Sequence, residues 1–387
     1  MTLKRNSKLF LVLFLGTLSA FGPFVTDLYL PALPTMSSYF NSSTSTIQLT
    51  LTGSMVGLAL GQLLIGPISD KYGRKNPLII SLIVYLISTI AIILFPNVYA
   101  MIVLRFIQGV SSAGAVVISR AISTDLYRGR ELAAFFALLM AVNGLAPILS
   151  PILGSLLLEL TDWRGIFVTL ALIGVVLLAV SFKFNESLAI EKRLDLPITK
   201  TYYSIVHVMK NRLFFALVII QGFALAAMFA YIAASPFILQ THYSLSPLMY
   251  SLCFGLNGFA IVLGSKSAGN FKEKVSIKLG LSLMLLVSIY LAVALTLTLP
   301  FLFIEVGFFL LLLGLGFILP AGSAIAMSLE RERAGSASAF FGFVPFFLGG
   351  VVSPLVGIGN IFHSSAIAIV ICSAISFVTF KLVEKKI

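Results

Sequence analysis

The stretch GPISDKYGRKNPL, residues 66–78, decides how the rest of the chain is organised. It holds one acid, Asp70, and three basic residues, and the chain on either side is apolar for about 20 residues, the length that crosses a bilayer. Gly66 and Gly73 permit close approach and a sharp turn. We therefore predict a short hairpin between two membrane helices, and its three cations place that hairpin on the cytoplasmic side.

The composition excludes a soluble globular protein. Of the 387 residues, 59% are hydrophobic and 10% are charged, and the mean hydropathy is +1.07, whereas soluble domains carry about 25% charged residues. A net charge of +12 would suit nucleic-acid binding only if the basic residues shared one soluble domain, but they lie beside apolar runs. Cys253 and Cys372 both lie within such runs, so no disulfide framework is predicted. We expect a polytopic membrane protein that does not bind nucleic acid.

Apolar runs divide the chain into twelve predicted spans. The first run follows basic residues, as in a signal peptide, but it continues to residue 33 without a small-residue cleavage site, so we interpret it as a retained span. The predicted spans are 9–33, 47–68, 77–95, 98–120, 132–156, 165–182, 213–235, 248–268, 277–297, 302–327, 336–356 and 364–382.

The basic residues test this count independently. With the N-terminus inside, all but two of the 26 Lys and Arg residues fall in predicted cytoplasmic segments; the exceptions are Arg164, outside, and Arg105, within the membrane. Both termini are then cytoplasmic. The longest polar interval, 185–212, follows the sixth span, so we predict an all-α protein of two six-helix bundles, 1–184 and 213–387, joined by a cytoplasmic linker.

Ionisable residues inside spans are costly and mark candidate functional sites. At 1.5 Å per residue, Asp27 lies roughly 25 Å from the cytoplasmic edge and Arg105 about 10 Å from the outer edge, so the two share a depth. We predict that they face one cavity and interact, with Asp27 taking up and releasing a proton as its surroundings change. The alternatives are an acid at an outer helix end and an arginine that reaches the headgroups. Glu305, just after Pro300, is the rival proton carrier, although we favour a structural role at a helix N-terminus.

Sparse polar residues in an otherwise apolar wall indicate a binding site for lipophilic ligands. No phosphate-binding glycine loop, catalytic motif or metal-ligand cluster occurs in the sequence, so we expect neither an enzyme nor a cofactor or metal. The predicted substrate-binding residues are Tyr29, Asn143, Gln221, Tyr231 and Asn257.

Two further residues near the inner membrane edge are candidates for a gate. We predict that Asp70 caps the start of the eleventh span at Gly335 when the bundles close on the inside. We also predict that Arg120 forms a salt bridge with Asp125.

Several motifs resemble a known family. The residues 66–78 resemble the loop signature of the major facilitator superfamily, and LRFIQG at 104–109 resembles its fourth-helix signature, in which helical spacing puts Gln108 on the face of Arg105. Span five is similar to the antiporter signature, but Ala146 stands where glycine is usual, which leaves antiport and symport both open.

The Bcr/CflA branch of twelve-helix drug and proton antiporters is similar to this chain over a larger set of segments. They are TDLYLPALP at 26–34, residues 48–75, residues 104–126, LAPILSPILGSLL at 145–157, SPFILQ at 235–240 and AGSASAFFGF at 334–343. The resemblance implies that Asp27 and Arg105 serve coupling and substrate binding. It also implies a conformational gate at Gly66, Asp70, Gly73, Arg74 and Arg120.

We therefore expect a monomeric exporter in the bacterial inner membrane that exchanges protons for lipophilic antimicrobials resembling chloramphenicol or bicyclomycin. The alternative with the same fold is a proton-coupled transporter of an endogenous amino acid or sugar derivative. A membrane sensor or scaffold is a third class, but it would have no reason to bury Asp27 and Arg105. The expected partners are the drug, protons and membrane lipid.

Overall fold

The computed structural model describes residues 7–193, 198–330 and 333–386, and the regular secondary structure of these residues is helical. Long apolar runs form helices here because a helix satisfies every backbone hydrogen bond within one segment. The helices are α1 (Lys8–Asp27), α2 (Leu33–Tyr39), α3 (Thr44–Tyr72), α4 (Lys75–Leu94), α5 (Val98–Leu126), α6 (Gly129–Leu160), α7 (Trp163–Lys183), α8 (Ile198–Met209), α9 (Arg212–Pro236), α10 (Pro247–Ala268), α11 (Glu273–Thr296), α12 (Phe301–Leu329), α13 (Ala334–Leu355) and α14 (Ile361–Val383).

The predicted all-α membrane fold is confirmed. Within the described residues, eleven segments are long and apolar enough to cross a membrane. The 32-residue helix α6, whose stretch Gly144–Leu160 is apolar, occupies the place of the remaining predicted span. The first span continues to Tyr39, beyond its predicted end at residue 33, because a 3₁₀ turn at Leu30–Ala32 joins α1 to α2.

Contacts divide the chain into two compact units. Unit 1 comprises Met1–Leu30 and Gly53–Thr201, and unit 2 comprises Pro31–Thr52 and Tyr202–Ile387. In unit 1, α4 packs on α5 and α7, and α1 packs on α5 and α6; in unit 2, α12 packs on α10 and α11, and α9 packs on α13 and α14. The predicted division at 185–212 stays a prediction. That interval holds a 3₁₀ turn at Ile190–Lys192 and the helix α8.

The segment Pro31–Thr52 joins unit 2 through side-chain hydrogen bonds to backbone carbonyls. Gln48 Nε2 donates to the Ala233 carbonyl at 2.8 Å, and Ser45 Oγ donates to the Pro354 carbonyl at 2.9 Å. Because residues on both sides of this segment belong to unit 1, the chain passes into unit 2 after Leu30 and returns to unit 1 within α3, at Gly53.

Small residues set the helix spacing in each unit. A Cβ added to Gly57 in α3 would overlap the backbone of α5 near Phe106, and one added to Gly264 in α10 would overlap the backbone of α12 near Leu313. Glycine at such contacts lets helix backbones approach closely, as is common between membrane helices.

Candidate functional site

The loop between α3 and α4 holds a buried arginine whose positive charge is balanced by two nearby carboxylates. The Arg74 side chain bonds Asp70 Oδ1 at 2.5 Å, Asp125 Oδ2 at 2.9 Å and Ser69 Oγ at 2.9 Å. Burial by itself lowers the pKa of Arg74, but its hydrogen bonds and charge interactions with Asp125 and Asp70 outweigh burial and raise that pKa above its usual value. The guanidinium is therefore a permanent cation that ties α3, α4 and α5 together.

Glu186, which follows α7, caps the start of α4. Its two carboxylate oxygens accept hydrogen bonds from the backbone N–H groups of Arg74 at 3.0 Å and Lys75 at 3.1 Å. An acid at this place satisfies unpaired N–H groups and complements the helix dipole. The sequence analysis missed this role, because Glu186 is one of three acids in the polar interval 185–212 and carries no distinguishing signal.

Gly73 is the turn residue that makes this capping possible. Its φ is +91°, and an added Cβ would lie 2.6 Å from Glu186 Oε2, so an L side chain there is strained by both backbone and contact. The expectation for Gly66 was wrong, because α3 continues through Tyr72 and a Cβ on Gly66 would make only an ordinary 3.6 Å contact with Val117.

The expected salt bridge between Arg120 and Asp125 is not formed. Asp125 instead binds Arg74 and accepts a hydrogen bond from Ser187 Oγ at 2.9 Å, and Arg120 has a buried Nε without a partner among the described residues. Asp70 keeps half of its side chain exposed while it binds Arg74. The proposed capping of the eleventh span by Asp70, and the gate as a whole, stay predictions.

Asp27 lies at a break inside the first span. It is the last residue of α1, its exposure is only 9%, and the span continues for twelve residues to Tyr39. Asp27 therefore ends a helix that is followed by a further helical segment, and its depth in the membrane stays a prediction. A helix end inside a span leaves carbonyl groups that need donors.

Arg105 in α5 supplies one of those donors. Its fully buried side chain donates from Nη1 to the Val25 carbonyl of α1 at 2.9 Å, where the helix dipole favours a cation. The charge of Arg105 also acts on Asp27. The alternative in which Arg105 reaches the headgroups is excluded by this burial.

A chain of buried hydrogen bonds extends from Arg105 to α4. Arg105 Nη1 donates to Gln108 Oε1 at 2.6 Å, which confirms that the two share a helix face. Gln108 Nε2 donates to Thr89 Oγ1 at 2.7 Å, and Thr89 donates to the Tyr85 carbonyl at 2.7 Å. The sequence analysis missed Thr89, since a threonine in an apolar span carries no distinguishing signal.

Tyr29 is packed against the arginine. Its ring centre lies 4.2 Å from Arg105 Cζ, and Phe167 from α7 lies 5.9 Å from the Tyr29 ring. An arginine over an aromatic face is held by the ring quadrupole. Tyr29 is fully buried in this cluster, so its predicted contact with substrate stays a prediction.

The other predicted substrate residues fall into two places in unit 2. Gln221 in α9 is buried beside Ser323 in α12, whose hydroxyl lies 3.5 Å from Gln221 Oε1. Tyr231 and Asn257 are in direct contact, with Asn257 Nδ2 donating to Tyr231 Oη at 3.0 Å. The side chain of Asn143 lies outside the described residues.

Glu305 completes the cluster with Tyr231 and Asn257. Its Oε1 accepts from Asn257 Nδ2 at 2.9 Å, and its exposure is 5%. The structural role expected for Glu305 was wrong, because its described donor is a side-chain amide of α10 and no backbone N–H at the start of α12 binds it.

An apolar groove of about 660 Å³ lies elsewhere, between α1 and α7. It is lined by side chains such as Phe14 and Leu172 and contains none of the predicted site residues. Its lining residues are therefore separate from the predicted site.

The family model described as Major Facilitator Superfamily matches residues 9–354 of this chain. The chain belongs to the major facilitator superfamily. Its membership makes the protein a multi-pass membrane transporter and not an enzyme, and the fold is the superfamily's arrangement of two six-helix bundles.

Two curated superfamily relatives and one solved structure show how far the similarity extends. The chain is 36% identical over 362 residues to YdgK of Bacillus subtilis (strain 168), an uncharacterized MFS-type transporter, covering 92% of this chain and 90% of YdgK. It is 28% identical to a bicyclomycin resistance protein homolog of Haemophilus influenzae, covering 70% of this chain and 69% of that one. A bacterial homolog of the human lysosomal transporter Spinster, solved in an inward-facing conformation, has the same fold at 15% identity and a TM-score of 0.75, covering 97% and 98% of the two chains.

Proposed function

We propose that this superfamily transporter is a proton-coupled exporter of lipophilic antimicrobials of the Bcr/CflA type, with chloramphenicol-like and bicyclomycin-like compounds as substrates. The observation that carries the proposal is the buried acid Asp27 at a helix break, within the field of a buried arginine. The relatives support the substrate class, since one of them is named for bicyclomycin resistance.

Asp27 is suited to exchange a proton because two opposing effects act on its carboxylate. Burial disfavours its charged form, whereas the charge of Arg105 favours that form. A movement that changes either the burial or the distance to Arg105 changes the affinity of Asp27 for a proton. The helix break beside Asp27 is a place where such a movement requires few hydrogen bonds to be broken.

Arg105 positions this acid. Its guanidinium is anchored to the Val25 carbonyl of α1 and to Gln108 of α5, so it holds the last turn of α1, which ends at Asp27, against α5. In the outward-facing state a proton enters at Asp27, and in the inward-facing state the proton leaves and drug takes its place. Tyr29, Asn143, Gln221, Tyr231 and Asn257 are the proposed substrate contacts.

The inner membrane of a bacterium is the proposed location, with both termini in the cytoplasm and a monomer as the working unit. The cations beside the predicted inner ends of the spans support this orientation.

Drug sensitivity in a bacterial host deleted for its own pumps tests the proposal. Expression should raise resistance to chloramphenicol or bicyclomycin several-fold. A protonophore should abolish drug efflux from loaded cells, and the Asp27→Asn substitution should also abolish that efflux. Glu159→Gln, which removes an exposed carboxylate at the end of α6, is the matched control and should leave export unchanged. Full gradient-driven transport by purified Asp27→Asn protein would refute the role of Asp27, and a panel without any drug phenotype would favour the metabolite transporter.

A further inference from the structure

The cluster of Glu305, Asn257 and Tyr231 in unit 2 contains an ionisable group that the mechanism above does not use. Glu305 is 5% exposed, Asn257 is fully buried and Tyr231 is 1% exposed. Three different helices, α12, α10 and α9, contribute these side chains, so the arrangement is produced by the packed unit and not by one helix.

The hydrogen bonds of this cluster leave two acceptor oxygens without donors. The Asn257 amide donates hydrogen bonds to Tyr231 Oη and Glu305 Oε1. Glu305 Oε2 and Asn257 Oδ1 are buried and have no hydrogen-bond partner among the described residues. Buried polar atoms are normally paired, so two neighbouring orphans of the same kind indicate a missing hydrogen.

No positive charge near Glu305 compensates a carboxylate. Among the ion pairs of the described residues, the longest of which is 3.9 Å, none involves Glu305. An unpaired carboxylate inside a membrane span is so costly that such groups become neutral instead.

The titratable groups that face Glu305 are weak acids, none of which supplies a positive charge. Tyr231 on α9 and Cys253 on α10 interact with Glu305, and Tyr250 on α10 interacts with Tyr231. Tyr290 on α11 packs near Gly307 and donates its hydroxyl to the Phe303 carbonyl at 3.0 Å.

Aromatic rings enclose the cluster. The Tyr231 ring lies 4.7 Å from Phe308 and 5.9 Å from Phe254, and these two phenylalanines are 0% and 5% exposed. Such an enclosure keeps bulk water from solvating a negative charge.

We propose that Glu305 is a second proton-binding site of this protein, with Asn257 as its positioning residue. The proton binds Oε2, which converts the carboxylate to a neutral acid, and it returns to water when the site opens. Hard metal ions such as Mg²⁺ and Ca²⁺ are held by about six or more oxygens, whereas the cluster offers two unpaired ones, which suit a single proton.

Two proton-binding acids would change the number of protons exchanged for each drug molecule. This consequence rests on the proposed function. If Asp27 and Glu305 each load and release a proton in one cycle, two protons enter for each drug molecule that leaves. Removing Glu305 then lowers the ratio of protons to drug from two to one, whereas removing Asp27 abolishes coupled export.

Infrared spectroscopy of the purified full chain in lipid nanodiscs tests protonation without any need for transport. In an Asp27→Asn background at neutral pH, the C=O absorption of a protonated carboxyl should remain, and Glu305→Gln should remove it. Glu159→Gln, the exposed control, should leave it in place. Asn257→Ala keeps the acid but removes its amide donor, so it should shift the frequency of the band.

Three infrared results overturn the proposal: no such band in the Asp27→Asn protein, a band that survives Glu305→Gln, or a band that sodium chloride removes at constant pH. The last result would make the cluster a metal-ion site. If Glu305→Gln does not fold, the shift expected from Asn257→Ala decides the question.

Proteoliposomes test the coupling consequence separately. The pH gradient that just balances a known drug gradient, measured at several membrane potentials, gives the proton-to-drug ratio. A ratio of two in the parent and one in Glu305→Gln supports the two-site scheme, and an unchanged ratio contradicts it. If the parent transports no drug while the infrared result holds, the proposed function fails and the proton site stands.

Discussion

Arg105 in unit 1 and Glu305 in unit 2 are buried under opposite conditions. In unit 1, Arg105 is surrounded by the Val25 carbonyl, the Gln108 amide and the Tyr29 ring. In unit 2, Glu305 receives one hydrogen bond from Asn257, and its second oxygen has no partner among the described residues. A buried charge with fixed hydrogen-bond partners orients the groups around it. A buried carboxyl group without such partners takes up a proton instead.

The comparison separates two kinds of buried charged residue. Arg105 and Arg74 are held by several hydrogen bonds, and Arg74 also forms an ion pair with Asp70. Glu305 forms no ion pair among the described residues, and in our proposal its chemistry is exchange of a proton with water. The difference predicts that mutations in unit 1 reduce stability together with transport, while mutation of Glu305 changes coupling alone.

Arg105→Ala should have the largest effect. It leaves the Val25 carbonyl and Gln108 without their donor inside the membrane, so the free energy of unfolding should fall by about 3 kcal/mol and coupled export should be lost. Thermal unfolding in detergent and drug efflux from proteoliposomes measure the two effects. Arg105→Lys is the matched control, because it keeps the charge and should recover part of the stability. An Arg105→Ala protein as stable as the parent would show that the hydrogen bonds of Arg105 do not stabilise the fold.

Gly73→Ala should lower the stability of unit 1 by less than Arg105→Ala does. It forces a side chain into positive φ and against Glu186, so we expect a loss of about 1–3 kcal/mol. Gly66→Ala is the control in the same motif, since its Cβ has room and alanine favours a helix by about 0.5–1 kcal/mol. Urea unfolding of both variants checks the pair, and equal effects at the two glycines would show that the Glu186 cap is not needed.

Glu305→Gln should change stability by less than about 1 kcal/mol, because a neutral amide replaces an acid that is already neutral. Differential scanning fluorimetry of this variant beside Arg105→Ala sharpens the contrast between the units. A loss as large as that from Arg105→Ala would mean that Glu305 is ionised and paired in the folded protein.

Glu384→Gln should have the smallest effect and serves as the surface reference. Hydrogen bonds from Lys381 and Lys278 lower the pKa of this partly exposed carboxyl below its usual value of 4.5. Its contribution is therefore present above pH 4.5 and is lost as the pH falls through the lowered pKa. Any difference in melting temperature between variant and parent should therefore appear at neutral pH, disappear in acid and be abolished by high salt. A salt-resistant difference would count against a simple surface pair.

Some features of the transport site were predictable because they depend on neighbours in sequence. Gln108 lies three residues after Arg105, so helical periodicity alone put both on one face, and the 2.6 Å hydrogen bond confirms it. Arg74 was singled out by its motif, but its partners Asp125 and Glu186 are 51 and 112 residues away. The expected salt bridge between Arg120 and Asp125 rested on closeness in sequence, whereas in the packed helices Asp125 forms its salt bridge with Arg74.

The sequence by itself determined that this chain is an all-helical polytopic membrane protein, since hydropathy and the distribution of basic residues are local properties. It also marked Asp27, Arg105 and Glu305, because an ionisable residue in an apolar run is visible without any structure. Only the tertiary structure decided which of these groups has partners. Hydrogen bonds from Arg105 to Val25 and from Asn257 to Glu305 join helices that are 80 and 48 residues apart in the chain, and their geometry follows from how the helices pack.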